Sequence, residues 1–514
     1  MIFDSKKIIY AIVFISLAIG FSINEYNLHL LRQVNPDNKI INAKSTFHDE
    51  TIWSVDNEFY LSPPENFLAG KEWRRDPPLG NGSYFRRVPG YSIFYLFFRT
   101  LFDTPLALKL LKFAQMLLFG LSVICIYKTL KRLQFNNTIA AVVTISYGFT
   151  PFFSGFAYYT CTESITPYLA VFYLYFLMRA YCTEDAKIKW NSYLIASLLI
   201  GIFILTRPPM GLLALSFPVC FFKDYFKEKN IFYFTKKSIL IAILPLLLIG
   251  TWTIRNYLLT KEFVPLEKSY HPQSLDRMKP EYDGIISFIT CWGGKASEPT
   301  YFNEYYVPFQ ASVLVYGDTG IAYIENILKA WPVQIVNEFG KERLTAILKL
   351  HQRALYEQKP YYDKQIAMPP DYFPEQLQVQ KEYHKLENEY FKKHFFSYCL
   401  QSPLLYFKNM VVHSNTSQLF IFQKEVLGHK LLFAYKSLLF LLHILLYLTL
   451  FFNLFLIKNV VLKTVFAITP LVFVVFFCFI FRLIEQRYML PVLPIMVLGL
   501  AFPLNYFFSK WRSS

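Results

Sequence analysis

Charge is what this chain lacks most. Of its 514 residues only 17% are Asp, Glu, Lys or Arg, against 54% hydrophobic and 19% aromatic, a balance too apolar for a large water-soluble protein. The seven cysteines (Cys125, Cys161, Cys182, Cys220, Cys291, Cys399, Cys478) show no CxxC spacing. Four fall in or beside apolar runs, where they read as small hydrophobes and not as a disulfide or metal framework. There is no short soluble repeat and no low-complexity tract, which argues against solenoids and disordered arrays. The two halves lack the mirrored broken helices of an inverted-repeat transporter. The first apolar run, 8–23, follows Lys6 and Lys7 but has no small-residue cleavage site after it, so it reads as a retained helix and not a signal peptide.

What the chain does have is a succession of apolar runs of about 15 to 25 residues, each near the length that crosses a bilayer as a helix. Backbone groups left unpaired in hydrocarbon are costly, so helices are the default. The net charge of +16 would suggest nucleic acid in a soluble protein. Here many basic residues sit in short loops between apolar runs, which is the positive-inside pattern, and no nucleic-acid partner is expected.

Placing those basic loops inside predicts spans near 8–23, 106–128, 138–157, 164–181, 192–206, 210–222, 238–258, 431–457, 462–481 and 489–508. The expected fold is an all-α polytopic membrane bundle of about ten transmembrane helices with both termini cytoplasmic. Arg207-Pro208-Pro209 should break the chain between two of them. Three parts follow: an N-terminal transmembrane module, 1–258, with a large first outer loop at 24–103; an outer-side region, 259–430; and C-terminal helices, 431–514. Within the outer region, 339–358 and 377–398 carry apolar residues at helical spacing and are expected as amphipathic helices lying against the membrane.

The ionisable residues at the outer span ends are Asp56, Glu58, Glu163, Arg207, Arg255, Arg482, Glu485 and Arg487. On this topology they share one face, and a convergent set there suggests a polar cavity. Carboxylates and guanidiniums together suit an anionic substrate with a group to deprotonate. Taken one at a time they say less: an arginine at a span end often reaches lipid phosphate, and Glu163 in Cys161-Thr162-Glu163-Ser164 reads first as a helix start.

The first outer loop adds His48-Asp49-Glu50, Asp56-Asn57-Glu58, Arg74-Arg75-Asp76-Pro77-Pro78 and Arg86-Arg87-Val88-Pro89-Gly90. Solvated loops are often charged, yet a carboxylate can act as a general base and arginines fork onto phosphate. The three adjacent residues His48, Asp49 and Glu50 cannot complete a metal shell unaided.

Five stretches occur in a telling order: Asp56-Asn57-Glu58-Phe59-Tyr60, with Phe67-Leu68-Ala69-Gly70 and Val88-Pro89-Gly90-Tyr91 behind it; Thr162-Glu163-Ser164; Leu205-Thr206-Arg207-Pro208; Trp252-Thr253-Ile254-Arg255-Asn256-Tyr257, followed by Glu262-Phe263-Val264-Pro265; and Glu485-Gln486-Arg487-Tyr488 with Leu490-Pro491-Val492-Leu493-Pro494. In these the chain resembles the integral-membrane GT-C glycosyltransferases, in particular the group of lipid A aminoarabinose transferases and protein O-mannosyltransferases.

The resemblance, which runs over most of the chain, implies a GT-C-like helical bundle. It also implies transfer of a sugar from a polyprenyl-phosphate donor to a lipid, glycan or protein acceptor, with inversion, on the extracytoplasmic face of a bacterial inner membrane. Asp56 would be the base, with Glu58 and Asp49 as alternates, because Asn57 separates acids that such enzymes often carry side by side. Arg207, Arg255 and Arg487 would bind the phosphate, and Glu163, Asn256 and Tyr488 would bind or orient around it. Membrane lipid would be a further partner. No cofactor is required, and a divalent metal is left open. A lipid-linked-sugar transporter, or a non-catalytic scaffold, stands as the alternative.

Overall fold

The computed structural model describes residues 5–34, 50–52, 56–74, 87–228, 231–267, 279–293, 299–364, 366, 368–369, 371–412, 430–482 and 486–513. Regular structure there is helical; the only strand-like feature among the described residues is an isolated parallel bridge between Ile52 and Tyr159. Asp49, Glu485, Arg75, Arg86 and His48, all singled out above, lie outside the described residues.

Seven of the ten expected spans appear as helices long and apolar enough to cross a bilayer: within α1 (Ser5–Val34), α4 (Thr104–Arg132), α8 (Ala186–Thr206), α10 (Ile231–Thr260), α18 (Lys430–Leu456), α19 (Val460–Phe481) and α20 (Leu493–Lys510). The other three are shorter. The 138–157 run forms α5 (Asn137–Gly148) and then one turn, α6 (Pro151–Ser154). Pro151 has no amide to continue the ladder and pushes Thr150 into an extended conformation, so the run breaks there. The 164–181 run is α7 (Thr166–Cys182), 17 residues. The 210–222 run is divided between a 3-10 stretch, Pro208–Leu215, and α9 (Ser216–Glu228).

Helices α1, α4, α7, α8 and α10 pack in sequence, and α20 lies against α18, α7 and α5. One continuous buried cluster runs through them, rich in fully buried tyrosines such as Tyr91, Tyr147, Tyr168 and Tyr173. Buried hydroxyls need partners in so dry an interior, and these find them: Tyr147 on Ser122, Tyr168 on the Phe153 carbonyl, Tyr173 on Ser216.

Two short helices from the first outer loop, α2 (Asn57–Leu68) and α3 (Gly90–Arg99), join this bundle. Glu65 on α2 accepts from Tyr95 (2.5 Å) and Arg99 (2.9 Å) on α3, which fixes the pair as a unit.

A second buried cluster belongs to residues of the outer region. It is built by α11 (Pro280–Trp292), α12 (Pro299–Leu314), α13 (Ala322–Ala330), α14 (Val333–Phe339), α15 (Lys341–Lys364) and α16 (Pro374–Lys393). The amphipathic helices expected at 339–358 and 377–398 correspond to α15 and α16. Their buried faces pack on each other, on α11 and on α12, through Leu344, Leu348, Leu355, Val379, Tyr383 and Leu386. α17 (Ser402–Val412) then connects this cluster to α18 and α19.

The seven cysteines are free thiols. Among the described residues no group of three or more His, Cys, Asp or Glu is arranged to hold a metal ion.

Candidate active site

Where α2, α3, α7, α8 and the end of α19 converge, an open cleft forms, and its walls hold three carboxylates and three guanidiniums: Asp56, Glu163 and Glu267 with Arg87, Arg207 and Arg487. Each is carried there by a break in regular structure.

Glu163 sits in a single 3-10 turn, Thr162–Ser164, just before α7. That turn is tied to α4 by Gln115, whose Oε1 accepts from Ser164 Oγ (2.8 Å) and Tyr91 Oη (2.8 Å) while its Nε2 donates to the Ala157 carbonyl (2.6 Å). One buried amide thus fixes α3, α4 and the Glu163 turn together, and its satisfied donors and acceptors are what make its burial affordable in free energy.

Arg207 is the residue at which α8 ends. Its backbone is extended because two prolines follow, so the side chain leaves the helix axis and enters the cleft. Gly90 makes the corner close-packed: a Cβ at that position would come within 2.5 Å of the Leu205 carbonyl and 2.6 Å of Thr206 Oγ1. Only glycine lets the start of α3, and Arg87 three residues before it, approach the Arg207 corner this closely.

Arg487 arrives from the opposite side. α19 stops at Arg482, a left-handed residue with φ of 53°, a conformation uncommon outside glycine. The Arg482 guanidinium donates to the Phe479 and Tyr398 carbonyls at 3.0 Å and lies 3.9 Å from the Tyr398 ring centre. The chain resumes in a short turn, Gln486–Met489, that carries Arg487 and Tyr488.

The result is a connected ionic chain. Arg207 Nη1 is 2.8 Å from Glu163 Oε1; Arg487 lies 3.8 Å from the same oxygen and 3.7 Å from Asp56 Oδ2; Arg87 Nη2 is 3.2 Å from Asp56 Oδ1. Thr162 donates to the second Glu163 oxygen at 3.1 Å. The Arg207 guanidinium stands 5.1 Å from the Tyr488 ring centre, within cation–π range.

Burial alone would raise the Glu163 carboxyl, but the Arg207 and Arg487 guanidiniums outweigh it and hold the group below the ordinary carboxylate range. Glu163 is therefore a fixed anion at neutral pH. Burial pushes the Tyr60 phenol, on the cleft wall, above its ordinary range. Tyr60 is thus a hydrogen-bond donor and not a base. Asp56 precedes α2, whose amino end favours negative charge.

Of the residues singled out from sequence, Asp56, Glu163, Arg207, Arg487 and Tyr488 meet in this cleft. Glu58, half-buried on the first turn of α2, is not among its lining residues; nor are Arg255 and Asn256. Arg255 instead donates to the Trp73 carbonyl and, at 2.8 Å, to Asn256 Oδ1, with its guanidinium 4.7 Å from the Trp252 ring centre. Asn256, fully buried, donates to the Val264 carbonyl at 2.9 Å.

Three ionisable cleft residues were not marked as site residues by sequence reasoning: Arg87, Tyr60 and Glu267. The first two lie inside stretches already noted, Arg86-Arg87-Val88-Pro89-Gly90 and Asp56-Asn57-Glu58-Phe59-Tyr60. Glu267 follows Val264-Pro265-Leu266 with no pattern of its own.

Residues 89–250 match the sequence profile of the dolichyl-phosphate-mannose-protein mannosyltransferase family, a stretch that covers less than half of the chain. Among curated proteins none matches. Among solved structures, the archaeal oligosaccharyltransferase AglB from Archaeoglobus fulgidus, in complex with an inhibitory peptide and a dolichol-phosphate, aligns at 12% identity and TM-score 0.46. That alignment covers 98% of this chain and 51% of that one, so the chain spans about half the length of AglB. ArnT from Cupriavidus metallidurans in the apo state aligns at 10% identity and TM-score 0.32, covering 88% and 73%. The profile match supports, over residues 89–250, the resemblance to integral-membrane glycosyltransferases that the motifs suggested.

Proposed function

We propose that the chain transfers a sugar from a polyprenyl-phosphate donor to a lipid, glycan or protein acceptor, with inversion, in the cleft between Asp56 and Arg207. The single observation that carries this reading is the ionic chain Arg207–Glu163–Arg487–Asp56–Arg87, set in a bundle whose residues 89–250 match the mannosyltransferase profile.

The chemistry follows from how charge moves. The donor is a phosphodiester with one negative charge. As the acceptor hydroxyl attacks the anomeric carbon, its proton passes to the Asp56 carboxylate, the bond from that carbon to the phosphate oxygen breaks, and a lipid phosphate monoester leaves with one more negative charge. One charge is lost at Asp56 and one appears on the phosphate. Arg487 stands between these two positions, 3.7 Å from Asp56, and serves both, while Arg207 is held for the phosphate by Glu163. Cations fixed in advance stabilise the transition state more than the ground state, because there the phosphate charge has grown. In this reading Glu163 orients arginines and Glu58 is a supporting acid of α2. Arg255 and Asn256 act on loop position instead of on phosphate. The cleft faces the extracytoplasmic side, both termini are cytoplasmic and the membrane is a bacterial inner membrane. The proposed division is 1–258, 259–430 and 431–514, and the separate buried cluster between Ile285 and Tyr390 supports the middle part.

The test is transfer from a radiolabelled polyprenyl-phosphate sugar in membranes holding matched amounts of wild type, Asp56→Asn and Arg207→Ala. Loss of transfer in both variants is expected. Transfer by Asp56→Asn at the wild-type rate would remove it as the base, and no transfer by wild type with any donor would return weight to a lipid-linked-sugar transporter or a scaffold.

A further inference from the structure

The end of the bundle opposite the cleft holds a second concentration of charge, this one dominated by cations. α7 leaves the cleft just after Glu163 and ends at Cys182. Tyr175, Arg179 and Cys182 are spaced i, i+4 and i+7 along it, so they share one face. Arg132, the last residue of α4, reaches that face with its guanidinium 5.6 Å from the Tyr175 ring centre. Lys223 of α9 stands 4.1 Å from the ring centre of Tyr181, and both Arg132 and Lys223 lie within electrostatic reach of Cys182. The Tyr181 hydroxyl donates to Asn459 Oδ1 (3.2 Å), which also caps α19 through the Leu462 amide (3.1 Å). Lys458 and Lys463 flank that cap.

Arg132, Arg179 and Lys223 meet no carboxylate among the described residues, and the Arg179 Nε is buried without a hydrogen-bond partner. Asp185, three residues past Cys182, has its carboxylate on the Ile188 amide as the cap of α8. Helix C-termini attract cations, which accounts for Arg132 and Arg179 taken singly. It does not account for a half-buried guanidinium left unpaired beside other cations, an arrangement that costs free energy until an anion joins it.

We propose that this rim binds the headgroup of an anionic phospholipid, with Arg132 and Arg179 forking onto its phosphodiester and Lys223 adding charge beside them. The depth of the rim identifies the occupant. α4 and α19 are long enough to span a bilayer, Arg132 is the last residue of one and Asn459 the residue before the other. Ends of spanning helices lie at headgroup level, where the phosphate within reach is a lipid's. The excess of cations selects a lipid with net negative charge, because a zwitterionic headgroup brings its own ammonium to its phosphate. This inference is independent of the chemistry of the cleft.

The experiment titrates phosphatidylglycerol or phosphatidylcholine of the same acyl chains into the detergent-solubilised full chain and counts bound lipid by native mass spectrometry. Wild type is expected to favour phosphatidylglycerol by on the order of tenfold. The double variant Arg132→Gln/Arg179→Gln should abolish that preference, and Arg179→Lys, which keeps the charge but loses the fork, should reduce it. Lys187→Gln/Lys236→Gln removes the same charge from exposed positions at the same end of the bundle and should keep the preference within about twofold. Excess inorganic phosphate should leave the lipid bound. No preference in wild type, or equal loss in the two double variants, would overturn the site and leave only diffuse attraction; displacement by inorganic phosphate would overturn the lipid as occupant. The unfolding midpoint in phosphatidylcholine nanodiscs separates lost binding from lost fold. It should be unchanged in Arg132→Gln/Arg179→Gln, since neither arginine gives up a carboxylate, and a lower midpoint would show that the protein itself holds the two guanidiniums and would also overturn the proposal.

Discussion

At the scale of single residues, Glu163 is the clearest case of a group whose environment fixes its chemistry. It is 5% exposed and shared by two arginines, so neutralising it takes from Arg207 its carboxylate at 2.8 Å and from Arg487 one of its two, Asp56 remaining. Removing one partner of a buried pair costs about 3 kcal/mol or more. Glu163→Gln is therefore expected to lower the thermal unfolding midpoint in detergent measurably. The pH dependence has a definite sign. The folded carboxyl lies below its ordinary value of 4.5, so its contribution to stability is intact above that pH and is lost only as pH falls further. A pH series of unfolding midpoints should be flat for this contribution from neutrality to about pH 5 and decline below it, and Glu163→Gln should remove the decline. A wild-type decline beginning near neutrality that vanishes in the variant would contradict the pairing described here.

At the scale of elements, what the sequence discloses and what it hides separate cleanly. One helix end was read, Arg207 before two prolines, and it does end α8; the side-chain caps that Asp103, Asn136 and Asp185 give α4, α5 and α8 were not singled out in advance. The pairing of such ends could not be read. A guanidinium at a helix end looks the same in sequence whether it meets a carboxylate, as Arg207 does, or a backbone carbonyl, as Arg255 does. Likewise nothing local announces that Gln115, mid-helix in α4, gathers groups from α3 and from the turn before α7. Gly90 is the element-scale test of that convergence. With Leu205 O only 2.5 Å from where its Cβ would lie, Gly90→Ala must push α3 off the α8 corner, at a cost of about 1–3 kcal/mol for overpacking. The variant should fold less stably and bind polyprenyl phosphate more weakly, because Arg87 moves with α3; binding by titration in nanodiscs would report it. A second element-scale prediction concerns α15. Its His351 is fully buried between Tyr306 and Tyr383, 3.3 and 3.4 Å away, and burial pushes its pKa down to about 3. The unfolded chain binds the proton more readily, so this contribution to stability is complete above pH 6.5 and falls as pH drops toward 3, by on the order of 2 kcal/mol at pH 5. His351→Phe should flatten that slope in hydrogen-exchange measurements of α12, α15 and α16.

At the scale of the whole molecule, the question is how a charged cleft is kept on one side of a lipid bilayer. α8 offers the ruler. It begins next to Lys187 and Lys189 and ends at Arg207 in the cleft, and its 21 residues at about 1.5 Å each reach roughly the thickness of the hydrocarbon core. α4 runs with the same logic, from Asp103 at one end to Lys131 and Arg132 at the other. In the orientation proposed above, these basic residues stay cytoplasmic during insertion and the opposite helix ends, with the cleft, face the other side. Long spans such as these were legible because length and hydropathy are local properties. The three short ones were harder to read, because α7 and the broken α5–α6 pair take their stability from burial inside the bundle more than from contact with lipid, Tyr168, Tyr173 and Leu174 of α7 being fully buried. The orientation is open to direct measurement. With the seven native cysteines replaced by serine or alanine, a cysteine at Lys187 should react with a membrane-impermeant maleimide only after cells are permeabilised, and one at Glu262, on the cleft side of α10, should react in intact cells. The reverse pattern would put the cleft in the cytoplasm, where soluble nucleotide sugars are at hand, and the case for a lipid-linked donor would lose its physical reason.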